Sequence, residues 1–88
     1  IQIEQMESHL KKHLDTPFLI SAQKDAKFGE IVVLIYNKVG NEENIRRVCE
    51  SELPTYWVPK AYIAVDELPM TGTGKPDRAS ARRIANGE

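Results

Sequence analysis

The chain has 88 residues, of which 41% are apolar and 28% charged, and its formal net charge is −1. That length makes one small domain, expected to hide about 60 to 65% of its unfolded surface, and leaves no room for a separate active-site domain. The near-neutral balance excludes a global pull toward nucleic acid or anionic lipid, and no apolar run approaches the roughly 20 residues of a helical membrane span.

Ile3, Met6, Leu10 and Leu14 recur at helical spacing while Glu4, Glu7, Lys11 and Lys12 fall elsewhere, which predicts an amphipathic helix over about residues 2–14. Asp15-Thr16-Pro17 ends it. The runs FLISA (18–22) and IVVLIY (31–36) are rich in branched apolar residues and read as two strands. Their polar link carries Gly29 where a turn is needed, so a hairpin is the economical arrangement. Asn41 then stands as an N-cap with Glu42 and Glu43 in the first turn, where carboxylates suit the positive end of the helix dipole. Ile45, Val48, Cys49 and Leu53 form the buried stripe of that helix, and Pro54 marks its exit. AYIAV (61–65) reads as a third strand. Beyond a glycine loop, Asp77 caps a short last helix that turns Ala81, Ile84 and Ala85 to the core before Asn86-Gly87. The order α-β-β-α-β-α predicts an α+β fold, a small three-stranded sheet with flanking helices. No repeat, linker or low-complexity tract interrupts it.

Two features bear on context. The lone Cys49 excludes an internal disulfide framework and fits a reducing compartment, so cytoplasmic placement is the default expectation. No signal-peptide pattern opens the chain. The first residue is Ile rather than Met and the helical pattern begins almost at once, which gives the expectation of a chain cut from something longer.

The stretch ELPMTGTGKPDR, residues 67–78, is the chief candidate for chemistry. Its inner run TGTGK closes on the Gly-Lys pair found in a phosphate-binding loop of the form GxxxxGK[ST]. The match fails, because the first glycine would fall at Pro69 and Lys75 is followed by Pro76, so the magnesium-binding hydroxyl is missing. What remains is Gly72 and Gly74, which permit positive φ and close backbone approach, Thr71 and Thr73 as polar neighbours, and Lys75 at the tip. The bland alternative is a solvated connection whose lysine keeps it soluble.

His9 and His13 are four apart on a helix, a spacing that can serve a metal. Leu10 follows His9, so the HExxH pattern is absent, and no Cys or Asp cluster offers further ligands. They read as a surface pair and no metal site is assigned. Cys49 on a buried face behaves as a small hydrophobe, with no His or Asn pattern to make it a nucleophile. Lys75, Arg78, Arg82 and Arg83 form a basic cluster suited to phosphate, or else a solvated helix face. Tyr56, Trp57 and Tyr62 do not interleave with these basic residues as a single-strand nucleic-acid platform requires.

Taken together, Leu53, Tyr56, Val58 and Pro59, then Leu68, Pro69, Thr71, Gly74, Lys75 and Arg78 resemble the closing motifs of adenylate-forming enzymes. That family comprises acyl-CoA synthetases, peptide-synthetase adenylation domains and luciferases. KDAKFGEIVVLIY is similar to a segment of their C-terminal domain, and IQIEQME looks like its start, just after a hinge that would lie before Ile1. Ile3 and Gln5 depart from the pattern, which often has Pro or Gly and Glu there.

The resemblance implies that residues 1–88 are the mobile C-terminal domain of a two-step ligase, inactive alone, whose N-terminal adenylation domain is its partner within the same chain. It implies ATP, Mg2+, a small carboxylic acid and coenzyme A for the full-length enzyme, with none of these bound by this piece by itself, and neither nucleic acid nor membrane as a partner. Lys75 is then the catalytic lysine of adenylation, Thr71, Gly72, Thr73 and Gly74 shape its loop, and Arg78 anchors the helix start or contacts phosphate. Acetylation of Lys75 would remove the same charge. The finer likeness of IQIEQME and LPMTGTGKPDR is to o-succinylbenzoate-CoA ligases of menaquinone synthesis. Two rivals stand beside it: the tail of a peptide-synthetase adenylation domain, and a free-standing phosphate- or nucleic-acid-binding module.

Overall fold

The computed structural model describes residues 2–87, so Ile1, beside which the resemblance sets a hinge, and the final Glu88 lie outside the described residues. Helix α1 spans Ile3–Lys11. It is shorter than the apolar period predicts, because Lys12 closes it and the His13 and Leu14 amides both donate to the Leu10 carbonyl at 2.9 Å. Leu14 therefore still reaches the core, from a tightened turn rather than a regular helix.

Strands β1 (Phe18–Asp25) and β2 (Gly29–Asn37) pair antiparallel, from Phe18 opposite Tyr36 to Asp25 opposite Gly29. Both outrun their predicted apolar stretches. Gln23, Lys24 and Glu30 continue the ladder, since main-chain pairing needs no apolar side chain once the register is set. The Asp25 carboxylate closes the turn by accepting from the Lys27 and Phe28 amides at 3.0 and 2.7 Å, and Gly29 adopts φ +81°.

Helix α2 (Glu42–Glu52) starts where the Asn41 side chain accepts from the Asn44 amide at 3.0 Å and ends as Leu53 turns extended before Pro54. A single 3-10 turn, Thr55–Trp57, leads into β3 (Ala61–Val65), which lies parallel to β2 with Val33 opposite Ala61. Helix α3 spans Arg78–Ala85. The sheet order is β1-β2-β3, so the fold is the expected α+β arrangement with β2 in the middle.

The two faces of the sheet carry two cores. Met6, Leu10, Ile45 and Cys49 from α1 and α2 cover Ile20, Leu34 and Tyr36 on one side. Ala81 and Ala85 of α3 cover Leu19, Val33 and Ile35 on the other. A central strand buried on both faces has no reason to alternate, which explains the unbroken IVVLIY run. Gly40, in the turn between β2 and α2, packs on Thr16, whose side chain an added Cβ would overlap. Among the described residues no helix is long and apolar enough to cross a membrane.

Candidate functional site

The loop between β3 and α3 is a closed turn. Met70 and Pro76 form an isolated antiparallel bridge, the Thr71 amide donates to the Lys75 carbonyl at 2.7 Å, and the Gly74 amide donates to the Thr71 carbonyl at 3.0 Å. The Lys75 amide donates to Thr71 Oγ1 at 3.2 Å, and the Thr71 and Thr73 hydroxyls lie 3.0 Å apart. At the base the Asp77 amide donates to the Pro69 carbonyl at 3.0 Å. Both main-chain polar groups of Lys75 are thus tied down while its side chain is exposed, and among the described residues its ammonium makes no ion pair or hydrogen bond. Beside the loop a shallow groove runs from Lys11 and Leu14 past Phe18 to Leu68, Met70 and Gly74.

The two loop glycines are not equivalent. Gly74 adopts φ +81°, whereas Gly72 does not share that left-handed geometry and faces open space. The sequence reading gave both the same conformational role; only Gly74 has it. Gly74→Ala is therefore expected to cost about 1 to 2 kcal/mol in urea unfolding. Gly72→Ala should stay within about 0.5 kcal/mol.

Helix α3 begins at the loop's exit. Asp77 caps it, accepting from the Ser80 amide at 3.1 Å and the Ser80 hydroxyl at 2.7 Å, and these hydrogen bonds hold its carboxyl below the usual carboxylate range. Arg78 turns back across the sheet edge and forks onto Glu7 of α1, Nη1 to Oε2 at 2.8 Å and Nη2 to Oε1 at 2.7 Å. Glu7 Oε2 also accepts from the Ile20 amide at 2.7 Å, so α1, β1 and α3 meet on one carboxylate. The Arg78 pKa is raised chiefly by its hydrogen bonds to Glu7.

Glu7 corrects the reading of α1 as apolar on one face and charged elsewhere: it is only 6% exposed and lies within the buried stripe. Arg78 makes that burial tolerable, because a bidentate partner and an amide donor satisfy the carboxylate. A signal was present, since Glu7 stands four residues after Ile3 and three before Leu10.

The rest of the basic cluster is divided among neighbours. Arg82 pairs with Glu30, and Arg83 donates to the Ser80 hydroxyl at 2.9 Å. The Glu30 carboxyl is held below its usual range by its hydrogen bond to Arg82. Trp57, Val58 and Tyr62 pack against the first core, while Tyr56 stays 79% exposed with Trp57 edge-on at 6.0 Å. Burial pushes the Cys49 thiol pKa up, the wrong direction for a nucleophile. The end of α2 brings Glu52 to both His9 and His13, a carboxylate that the sequence reading does not name. Its partners are distant in sequence, and no local pattern announces it.

A family model for the AMP-binding enzyme C-terminal domain matches residues 19–75, which takes in β1 from Leu19 onward, β2, α2, β3 and the loop through Lys75. Gramicidin S synthase 1 of Brevibacillus brevis is 33% identical over 81 residues, covering 89% of this chain and 7% of that protein. The probable acyl-activating enzyme 9 of Arabidopsis thaliana is 38% identical over 74 residues, covering 75% of this chain and 14% of that protein. The amide bond synthetase McbA of Marinactinospora thermotolerans shares the fold, with a TM-score of 0.78 at 24% identity over 96% of this chain and 18% of that one. The chain therefore spans less than a fifth of each of these relatives. Its matched span and its identity to whole-length relatives lead to one assignment: this chain belongs to the family of AMP-binding enzyme C-terminal domains.

Proposed function

We propose that the chain is the mobile C-terminal domain of an ATP-dependent carboxylate-CoA ligase and that it supplies the lysine of the adenylation step. The observation that carries this reading is the exposed ammonium of Lys75, standing without a partner among the described residues on a turn whose backbone is hydrogen-bonded across its base. In the first half-reaction a carboxylate oxygen attacks the α-phosphorus of ATP. The new P–O bond forms as the bond to pyrophosphate breaks, leaving an acyl adenylate. In the second, a thiolate attacks the acyl carbon and AMP departs with the electron pair of the broken C–O bond.

An anion approaches an already anionic centre in the first step, so a cation placed there lowers the barrier, and more strongly once water is excluded. Lys75 fits as a point charge rather than as base or nucleophile. Exposed in the isolated domain, it stays hydrated until a partner surface closes over it, which avoids the cost of permanent burial. Arg78 is engaged by Glu7 and acts as an anchor for the start of α3.

Mg2+ does not fit this loop. Its functional groups are an ammonium, amides and threonine hydroxyls, with no carboxylate between Thr71 and Lys75, so the donor set suits an anion. The metal and the acid pocket go with an N-terminal adenylation domain in our reading, and the parent protein is cytoplasmic.

Among acids, o-succinylbenzoate is our first choice, from the likeness of IQIEQME and LPMTGTGKPDR to the ligases of menaquinone synthesis. A peptide-synthetase parent is the second reading, favoured by the identity to gramicidin S synthase 1 across most of the chain. A panel of carboxylic acids offered to the parent polypeptide with ATP, followed by labelled pyrophosphate exchange and then by thioester formation with CoA, separates the two. Acid-dependent exchange with acyl-CoA as product is the expected result. Exchange followed by loading of a carrier protein instead of CoA selects the peptide-synthetase reading, and no acid-dependent exchange overturns both.

A further inference from the structure

His9, His13 and Glu52 lie outside the lysine loop and have no part in the proposed chemistry. His9 Nε2 is 3.5 Å and His13 Nε2 3.1 Å from the same oxygen, Glu52 Oε1, and one ligand atom from each residue lies within 4.8 Å of the others. A tetrahedral zinc ion with bonds of about 2.0 to 2.2 Å separates its ligands by roughly 3.3 to 3.5 Å. Two of the three edges thus already have nearly the length that such an ion sets.

We propose that these three side chains form a site for one divalent transition-metal ion of the zinc type, clamping the end of α1 to the end of α2. The scaffold holds the ligands from both sides. His13 sits in the turn that its amide closes onto the Leu10 carbonyl, one turn after His9. Glu52 ends α2 where buried Leu53 and its amide bond to the Cys49 carbonyl, at 3.0 Å, fix the chain direction.

Two imidazoles and one carboxylate select zinc, nickel or copper over the oxygen-preferring magnesium and calcium. The side chains remain 43%, 38% and 33% exposed, which leaves the fourth position to water and makes the ion exchangeable. Bound only in the folded state, it stabilises that state by mass action.

The test is to titrate the EDTA-treated and dialysed 88-residue chain with zinc chloride, following heat, thermal unfolding and the imidazole proton resonances. One zinc per chain, a melting temperature that rises with zinc concentration, and movement of the His9 and His13 resonances are the expected results. His9→Ala, His13→Ala and Glu52→Gln should each weaken binding by about tenfold or more. Absence of saturable binding overturns the proposal. So does one-to-one binding that survives in the His9→Ala/His13→Ala double variant, or that leaves both imidazoles of the unsubstituted chain unmoved, a readout that needs no variant to fold.

Discussion

Lys75→Ala in the full-length parent is expected to slow acyl-adenylate formation by roughly a hundred- to thousandfold, about 2.7 to 4 kcal/mol of transition-state stabilisation. Thioester formation from supplied acyl adenylate should stay near the unsubstituted rate. The asymmetry follows from where charge develops. Only the first half-reaction brings a carboxylate onto an anionic phosphorus, so only there does one positive charge have so large an effect. Stability should change by less than about 0.5 kcal/mol, because the ammonium touches nothing among the described residues and the turn is held by main-chain bonds that alanine keeps. Lys75→Arg retains the charge on a longer, planar head and should recover part of the rate. Rapid-quench measurement of both half-reactions decides the matter, and equal losses in the two would defeat the assignment. Acetylation of Lys75 removes the same charge and is expected to reproduce the alanine phenotype.

Arg78→Ala should be the most destabilising single change in the neighbourhood of the loop, by about 2 to 4 kcal/mol. Truncation strands Glu7, a residue only 6% exposed, with the Ile20 amide as the one partner left to its carboxylate among the described residues. Breaking a fully buried ion pair from one side costs about 3 to 5 kcal/mol. The lower figure here reflects the 42% exposure of the Arg78 side chain, whose removal lets water reach the carboxylate. Glu7→Gln should cost less, because it leaves behind a guanidinium that water already reaches. Arg78→Lys should fall between, keeping charge but losing the fork. Urea unfolding of the three variants gives the order, and an Arg78→Ala loss below that of Glu7→Gln would contradict this account. Since the same ion pair ties the loop's exit to α1, Arg78→Ala in the parent should also slow adenylation, whereas the Lys75 variants leave stability alone.

Much of the fold is legible because its signals are local. Asn41 and Asp77 each stand just before a helix with a free amide three residues on, which any N-cap needs, and both cap as expected. The three strands are found by their apolar runs, and β3 has the predicted bounds. The turn-side ends of β1 and β2 are not, because Gln23, Lys24 and Glu30 pair through the backbone with no hydrophobic reason to do so. Of the candidate site, the loop and its lysine could be read from composition and resemblance, but the Gly72–Gly74 distinction depends on φ angles that composition does not encode. Glu7 and Glu52 were missed for another reason. Periodicity assigns a residue to a face and says nothing of what meets it there, and Glu7 finds Arg78 across 71 positions of chain.

The stapled turn that carries Lys75 has a mechanical consequence. Its amide and carbonyl are both clasped to Thr71, and its exit is keyed through Arg78 and Glu7 to the opening helix. The charge is mounted like a tool on a stiff arm: beyond the sweep of its own methylenes, it travels only when the entire body carrying it is swung.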